Sequence, residues 1–229
     1  MKASLDTNII IHFYRANKQD ILFEIFSEGV VIYEQIRKVE LQNHAGMLLK
    51  IIDADIEKGK IVIYTDFKLK ELGIKKIFDE NVKDNKMLYG AGDMGEVYAI
   101  SLAQTIGVYS LVTDDIKQGG PYMSLLQLKY DDVIPFNFVD VLIIRFLIGK
   151  VDAQKTVDDF NEINDASSLN WNFEPNIKKF LKRFFGNDAY KKEDTEFIKK
   201  LVDKYQIEVK SKFQELRRII KEHSKSESA

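Results

Sequence analysis

Over the first 138 residues, short apolar runs alternate with stretches of helical periodicity. The runs are rich in β-branched residues and cover residues 3–5, 30–33, 61–65, 108–112 and 133–138. Strands that are separated by helices need crossover connections, which favour a parallel sheet. Pro135 cannot donate a ladder hydrogen bond, so the last run is predicted to be an edge strand. The pattern therefore predicts an α/β domain at residues 1–138.

The segments between these runs are less regular. Residues 35–57 have the pattern of one long or broken helix, and residues 68–80 that of a shorter one. Residues 81–92 are polar and end in two glycines, which predicts a loop.

Four acidic residues stand where such a sheet would gather carboxylates. Asp6 and Asp114 each follow a predicted strand, while Glu40 and Glu96 fall in helical segments. Ligands of open α/β sheets bind outside the carboxyl ends of the strands. Clustered carboxylates repel one another unless a proton or a cation compensates, and oxygen ligands suit Mg²⁺ or Mn²⁺. The four acids thus predict a metal-dependent hydrolase of phosphodiesters.

The sequences around these acids resemble those of the PIN-domain family of nucleases. The resemblance covers residues 2–136 and rests on the order and spacing of four motifs: Asp6-Thr7-Asn8, Val39-Glu40-Leu41, Gly95-Glu96 and Leu111-Val112-Thr113-Asp114-Asp115. It implies a three-layer α/β/α sandwich with a central parallel sheet and an endoribonuclease that uses Mg²⁺ or Mn²⁺. Many members of the family are toxins of toxin–antitoxin pairs, so RNA is the implied substrate and an antitoxin-like protein an implied inhibitor.

Two of the site positions have competing candidates. Asp93 precedes Glu96 by three positions, but Glu96 shares a predicted helix face with small apolar residues such as Ala103, and Asp93 suits an N-cap. At the fourth position, the spacing from the preceding glycine favours Asp114, whereas a Thr-x-Asp pattern favours Asp115. Successive strand residues point to opposite faces, so one of this pair is expected to face the metal.

Two uncharged residues are expected to support the acids. Asn8 is predicted to hydrogen-bond the turn at Asp6, and Thr113 to orient a carboxylate or a water molecule.

From residue 139 onwards the periodicity is helical, which predicts a helical extension at residues 139–229. Residues 194–220 carry apolar side chains at steps of three or four. They predict one helix about 40 Å long at 1.5 Å per residue. Such a length exceeds what packing on a small domain needs, so the helix is expected to wrap the body or to meet a second copy in a homodimer.

Charge is distributed unevenly along the chain. Residues 1–175 carry 19 Lys and Arg against 27 Asp and Glu, whereas residues 176–221 carry 14 against 7. Basic helices beside an acidic catalytic body are one way to hold a polyanion such as RNA. Docking on the acidic body and a solvated basic face are the alternatives.

Composition narrows the setting of the protein. The chain has no cysteine, which excludes disulfides and suits a reducing, cytoplasmic location. Its N-terminus lacks the apolar region of a signal peptide, and the most apolar stretch, residues 139–148, is too short for a membrane span. Two rival functions remain open: a catalytically silent binding or scaffold subunit with a PIN-like fold, and a DNA-directed structure-specific nuclease.

Overall fold

The computed structural model describes residues 1–89, 94–117, 120–128, 131–186 and 191–226, with side chains as far as residue 223. The chain divides into two compact units, Met1–Phe138 and Val139–Ala229. The first unit contains a sheet and helices, and the described residues of the second are helical or lie in connections. None of the described helices is both long enough and apolar enough to cross a membrane.

The sheet of the first unit has five parallel strands. In chain order they are β1 Lys2–Leu5, β2 Gly29–Tyr33, β3 Ile61–Tyr64, β4 Ser110–Val112 and β5 Ile134–Phe136. Their spatial order is β3-β2-β1-β4-β5, so β5 lies at an edge as Pro135 predicts. The α/β class with a parallel sheet is therefore confirmed.

Helices connect these strands. They are α1 Thr7–Arg15, α2 Asp20–Ile25, α3 Gln42–His44, α4 Leu49–Glu57, α5 Asp66–Glu71, α6 Lys75–Tyr89, α7 Met94–Thr105 and α8 Pro121–Gln127. A π-helix, Ile36–Leu41, and a 3₁₀ helix, Gly46–Leu48, interrupt the segment before α4, which agrees with the broken helix expected there. The residues at the N-termini of two helices explain where these helices begin. Thr65 caps α5 by accepting the Lys68 N–H at 3.1 Å, and Pro121 occupies the first turn of α8.

Helices pack on both faces of the sheet. The Ser4 hydroxyl donates to a backbone carbonyl of α7 at 2.8 Å, which holds α7 against one face. Leu5 points to the opposite face and lies in register with Val112, which in turn lies in register with Phe136. The ring of Phe26, just after α2, is 6.5 Å from that of Phe136. This arrangement is consistent with a three-layer α/β/α fold.

The strand order contains one reversal of direction. The chain moves outward from β1 to β2 and β3, and then returns to the other side of β1 as β4. Such a reversal opens a crevice at the carboxyl ends of the two central strands, because their connections leave on opposite sides. The fold therefore brings the residues after β1 and β4 together.

The loop predicted for residues 81–92 is wrong where the structure describes it, because α6 continues to Tyr89. The polar side chains that suggested a loop form hydrogen bonds with α7. Asn85 Nδ2 donates to Ser101 Oγ at 2.9 Å and to Gln104 Oε1 at 2.8 Å. A polar seam between two helices leaves no hydrophobic period in the sequence.

The described helices of the second unit begin at the boundary residue. They are α9 Phe138–Leu147, α10 Ala153–Ala166, α11 Phe173–Phe185, α12 Lys192–Tyr205 and α13 Val209–Ser226. Side chains of Asp152 and Asn172 cap the starts of α10 and α11.

The single long helix predicted for residues 194–220 is wrong, since α12 and α13 are separate. Gln206 has φ of 50°, a left-handed conformation that ends α12, and Ile207 is buried after it. The spacing of apolar residues concealed this break because it continues through Tyr205. Tyr205 is 42% exposed, so it does not belong to the buried face that the spacing implied. Ile198 and Phe213 are buried within the chain itself. The homodimer thus stays a prediction that has lost its argument from helix length.

An arginine lies in the interior of the second unit. Arg183 is 2% exposed and donates through Nε and Nη2 to the two carboxylate oxygens of Asp194, at 2.9 and 2.7 Å. Asp140 lies 3.5 Å from its Nη1. Both acids are also buried, so the guanidinium compensates two desolvated charges.

Replacing this arginine should destabilise the second unit strongly. We expect Arg183→Met to lower the free energy of unfolding by about 3–5 kcal/mol, because two buried carboxylates lose their partner. Arg218→Met, which removes an exposed pair with Glu222, should cost roughly 0–1 kcal/mol. Urea unfolding followed by the fluorescence of Trp171, the one tryptophan, measures both. Equal losses would contradict the assignment.

Candidate functional site

The crevice is built around a direct hydrogen bond between the two central strand ends. The Asp6 N–H donates to the carbonyl of Val112 at 3.0 Å, which extends the β1–β4 ladder by one residue. Beyond this bond each strand end continues with polar residues: Asp6 itself on one side and Thr113 on the other. Both side chains are 1% exposed, so the base of the crevice is polar yet almost inaccessible to solvent.

Asp6 is held at both carboxylate oxygens. Its Oδ1 accepts the N–H of Thr7 at 2.6 Å and thereby caps the start of α1. Its Oδ2 accepts the hydroxyl of Thr113 at 3.2 Å. The expectation that Thr113 orients a carboxylate is confirmed by this bond. Asn8, the other supporting residue predicted, has an exposed side chain.

Thr113 also connects Asp6 to the next acid. Its hydroxyl oxygen accepts the backbone N–H of Asp115 at 3.2 Å while its proton is given to Asp6. One hydroxyl therefore fixes both the carboxylate that follows β1 and the backbone that follows β4. A Ser or Thr is suited to this place because a hydroxyl donates and accepts at the same time.

Glu96 and Asp115 form a carboxyl pair at this end of the sheet. Glu96 lies in the first turn of α7 and is 4% exposed, and a side-chain hydrogen bond joins it to Asp115. Two carboxyl groups can share such a bond only if one of them carries a proton. Lys117 Nζ lies 2.5 Å from the other oxygen of Asp115.

The surroundings of this pair favour the charged form of Asp115. Burial opposes the ionisation of Asp115, but the hydrogen bond from Glu96 and the contacts with Lys117 outweigh it, and the pKa of Asp115 lies below its usual value. The two carboxyl groups therefore share one proton, and the pair carries a single negative charge. A cation that displaced this proton would meet two carboxylates at once.

Asp114 faces a different environment from Asp115. Its Oδ2 is 2.7 Å from His12 Nδ1, and its Oδ1 accepts the N–H of Phe138 at 2.9 Å. Both oxygens thus serve contacts that tie the end of β4 to α1 and to the backbone of Phe138, within the first unit. Of the two alternatives at the fourth position, Asp115 is the residue that the structure brings to Glu96. No spacing in the sequence marks His12 as the partner of Asp114.

Glu40 lies on the π-helix that follows β2. Its side chain is 23% exposed, and its carboxylate is 3.8 Å from His44 Nε2. Because Asp6 and Glu96 are almost completely buried, Glu40 stands nearer to the surface than either of them. Burial raises the pKa of Tyr98, and the charges of Asp66 and Glu40 raise it further. Asp93, the other candidate for the third position, lies outside the described residues.

A glycine that the sequence interpretation overlooked shapes the Asp115 side of the crevice. A Cβ added at Gly120 would lie 2.9 Å from Asp115 Oδ1 and 3.0 Å from its carbonyl oxygen. A side chain at this position would displace the carboxylate from its contacts. Nothing in the sequence around Gly120 indicates that this residue lies against an acid.

The chemistry of these donors fits a hard divalent cation, although no complete ligand set is formed. Asp6, Glu96 and Asp115 offer only oxygen, which Mg²⁺ and Mn²⁺ prefer. Among the residues that the structure describes, no group of three or more His, Cys, Asp or Glu side chains is arranged to hold a metal ion. The arrangement offers a carboxyl pair and, linked to it through Thr113, a third carboxylate.

Comparison of the chain with protein-family models, with curated proteins and with solved structures found no match. The resemblance to the PIN-domain family therefore stays a prediction that rests on the four sequence motifs. The function has to be argued from the geometry of the crevice itself.

Proposed function

We propose that this crevice binds Mg²⁺ or Mn²⁺ and that the protein hydrolyses phosphodiester bonds of RNA. The observation that carries the proposal is the connected series Asp6, Thr113, Asp115 and Glu96 at the reversal point of a parallel sheet. Three carboxyl groups at one sheet edge are unfavourable unless protons or cations compensate them. In the structure a shared proton and Lys117 compensate the Glu96–Asp115 pair, and a divalent cation would compensate all three carboxylates at once.

Asp6, Asp115 and Glu96 would hold the ion, after the carboxyl pair loses its shared proton. When bound, such an ion activates water for attack on phosphorus and offsets the charge that develops on the phosphate. Thr113 keeps Asp6 and the Asp115 backbone in fixed relative positions, so less reorganisation is needed. Lys117 is 69% exposed and adds a positive charge beside Asp115, which favours the approach of a phosphate. Glu40 would act from the rim of the crevice.

A catalytically silent binding or scaffold subunit is the second candidate. It is favoured by the lack of a ready group of three ligands among the described residues. In that case the proton shared by the carboxyl pair would stay in place and the acids would have a structural role only. A DNA-directed nuclease and an antitoxin-like inhibitor stay predictions of the sequence motifs, and comparison of RNA with flap-DNA substrates separates the two nuclease classes.

Metal binding can be tested without catalysis. Mn²⁺ should raise the Tm of the wild-type protein by about 2–4 °C per kcal/mol of binding free energy. Glu96→Gln should keep the fold, because the amide can donate to Asp115, but it should lose this rise in Tm. Asp84→Asn removes an exposed acid of the same unit and should respond like the wild type. A wild-type Tm that no divalent ion changes would favour the silent subunit.

Cleavage provides the functional test. Asp6→Asn and Asp115→Asn should each lower the rate of RNA cleavage in Mn²⁺ by about 100-fold or more, because even residues that only orient metal ligands contribute roughly 10–100-fold. EDTA should abolish the activity, and Asp84→Asn should retain it. Cleavage of a labelled single-stranded RNA, followed on denaturing gels, measures these rates. Wild-type activity in Asp6→Asn would refute the assignment.

The same assay decides between the two neighbouring aspartates. Asp114→Asn should keep most of the activity, because Asn can still accept the Phe138 N–H and the contact with His12 lies apart from the carboxyl pair. If Asp114→Asn abolished cleavage while Asp115→Asn retained it, the opposite assignment would hold.

A further inference from the structure

The two edges of the sheet in the first unit differ in how well they are protected. An edge strand presents unpaired backbone N–H and C=O groups, to which another strand can add. At β5 this addition is hindered by Pro135, which has no N–H to donate. At β3 the sequence is Ile61-Val62-Ile63-Tyr64, without proline, and among the described residues no strand pairs with its outer side. β3 is therefore the edge that can accept a further strand.

The extended backbone at this edge is one residue longer than β3 itself. Thr65 has φ of −94° and ψ of 162°, and α5 begins only at Asp66, so the extended segment runs from Ile61 to Thr65. Val62 and Ile63 are half-buried, whereas their register partners in β2 are fully buried. An apolar strand with this partial exposure gains burial when a second strand covers its edge.

A second copy of the same segment fits this edge in an antiparallel arrangement. Two identical strands related by a two-fold axis pair about the middle residue of the segment, which is Ile63. Ile63 then lies opposite Ile63 of the other copy, and Val62 lies opposite Tyr64. Opposed pairs of β-branched and aromatic residues of this kind stabilise a sheet.

The residues that flank the segment are complementary in the same register. Lys60 lies opposite Asp66 of the other copy, and their side chains are 40% and 45% exposed, so both can reach across the interface. One position further out, Phe67 lies opposite Gly59. Phe67 is 69% exposed, and a Cβ added at Gly59 would have no heavy atom within 4 Å. The space beside this glycine can therefore receive the ring, and the two-fold axis repeats each contact.

We propose that two copies of this chain associate through β3 and form one continuous sheet with five strands from each copy. An unrelated extended peptide has no reason to place an acid opposite Lys60 and a ring opposite Gly59, whereas a second copy does so by symmetry. Exposed ion pairs contribute little to affinity, so Lys60 and Asp66 mainly fix the register. Burial of Ile63 and Phe67 supplies the free energy of association.

This surface gives the homodimer an argument that does not depend on the length of a helix. Because the two β3 strands run antiparallel, the carboxyl ends of the two sheets face opposite directions, and each copy keeps its own carboxylate crevice. The association is therefore independent of the function proposed for that crevice.

Light scattering of the full chain over a dilution series measures the association. We expect the mass at the concentrated end to be twice the 26.5 kDa of one chain. Phe67→Glu should raise the dissociation constant of the dimer roughly 10-fold or more, because a charge replaces the buried ring at both ends of the interface. Tyr109→Glu is the matched control. Tyr109 is 63% exposed and precedes β4, which β2 and β1 separate from β3, so this variant should associate like the wild type.

Single cysteines test the register, because the chain has no cysteine of its own. Opposed Cα atoms of an antiparallel pair are about 4.5–5.5 Å apart, within the range of a disulfide, whereas diagonal positions are about 7–8 Å apart. Ile63→Cys should therefore form a disulfide-linked dimer on a non-reducing gel after addition of a mild oxidant such as diamide. Val62→Cys places the two thiols diagonally and should cross-link far less.

Three results would overturn the proposal. One is a wild-type chain that keeps the mass of a monomer throughout the dilution series, which would leave the edge of β3 to an extended segment of another protein. Another is a dimer that Phe67→Glu weakens no more than Tyr109→Glu does. The third is equal cross-linking of Ile63→Cys and Val62→Cys. Because Phe67 is exposed in the single chain, Phe67→Glu should unfold in urea like the wild type, so its loss of association is read on a folded protein.

Discussion

The parallel pairing of β1 with β4 is the constraint on which the rest of the first unit depends. It places Asp6 beside the carbonyl of Val112 and brings the residues after both strands to one point, although more than a hundred positions separate them in the chain. Without this pairing, Thr113 could not reach Asp6 and Asp115 would not meet α7. The strand order therefore determines which acids become neighbours, and local sequence determines only how each one is oriented.

Burial of these acids has an electrostatic consequence that the fold must compensate. The carboxylate of Asp6 accepts hydrogen bonds from the helix that it caps and from Thr113. Glu96 and Asp115 instead share a hydrogen bond and one proton, so the pair carries one charge rather than two. The hydrogen bonds to Asp6 stabilise its carboxylate whether or not a ligand is bound. The proton shared by Glu96 and Asp115 can instead be replaced by an added cation. The site is therefore stable without a ligand and can still bind one.

The sequence predicted the parallel sheet, the edge strand and the presence of acids at its strand ends, because short β-branched runs and their order are visible directly in the sequence. It could not distinguish Asp114 from Asp115, since that choice depends on His12 and Phe138, which lie far away in the chain. The continuation of α6 was missed because Asn85 replaces hydrophobic contacts with hydrogen bonds to α7. The break at Gln206 was missed because no glycine or proline marks it. Non-local partners and unmarked left-handed residues limit such predictions.

The charge of the second unit illustrates why a count of residues is an incomplete guide to partners. Arg183 contributes to the basic excess of residues 176–221, yet it is 2% exposed and is used to neutralise Asp140 and Asp194. It cannot meet a polyanion while the unit stays folded, so the basic face predicted around it is smaller than the sequence suggests. Lys178, Arg217 and Lys221 are exposed instead, and the charges of all three act on Glu174 next to the loop of Trp171. Positive potential that reaches solvent is physically different from positive charge buried in a core, and only the former can attract a polyanion.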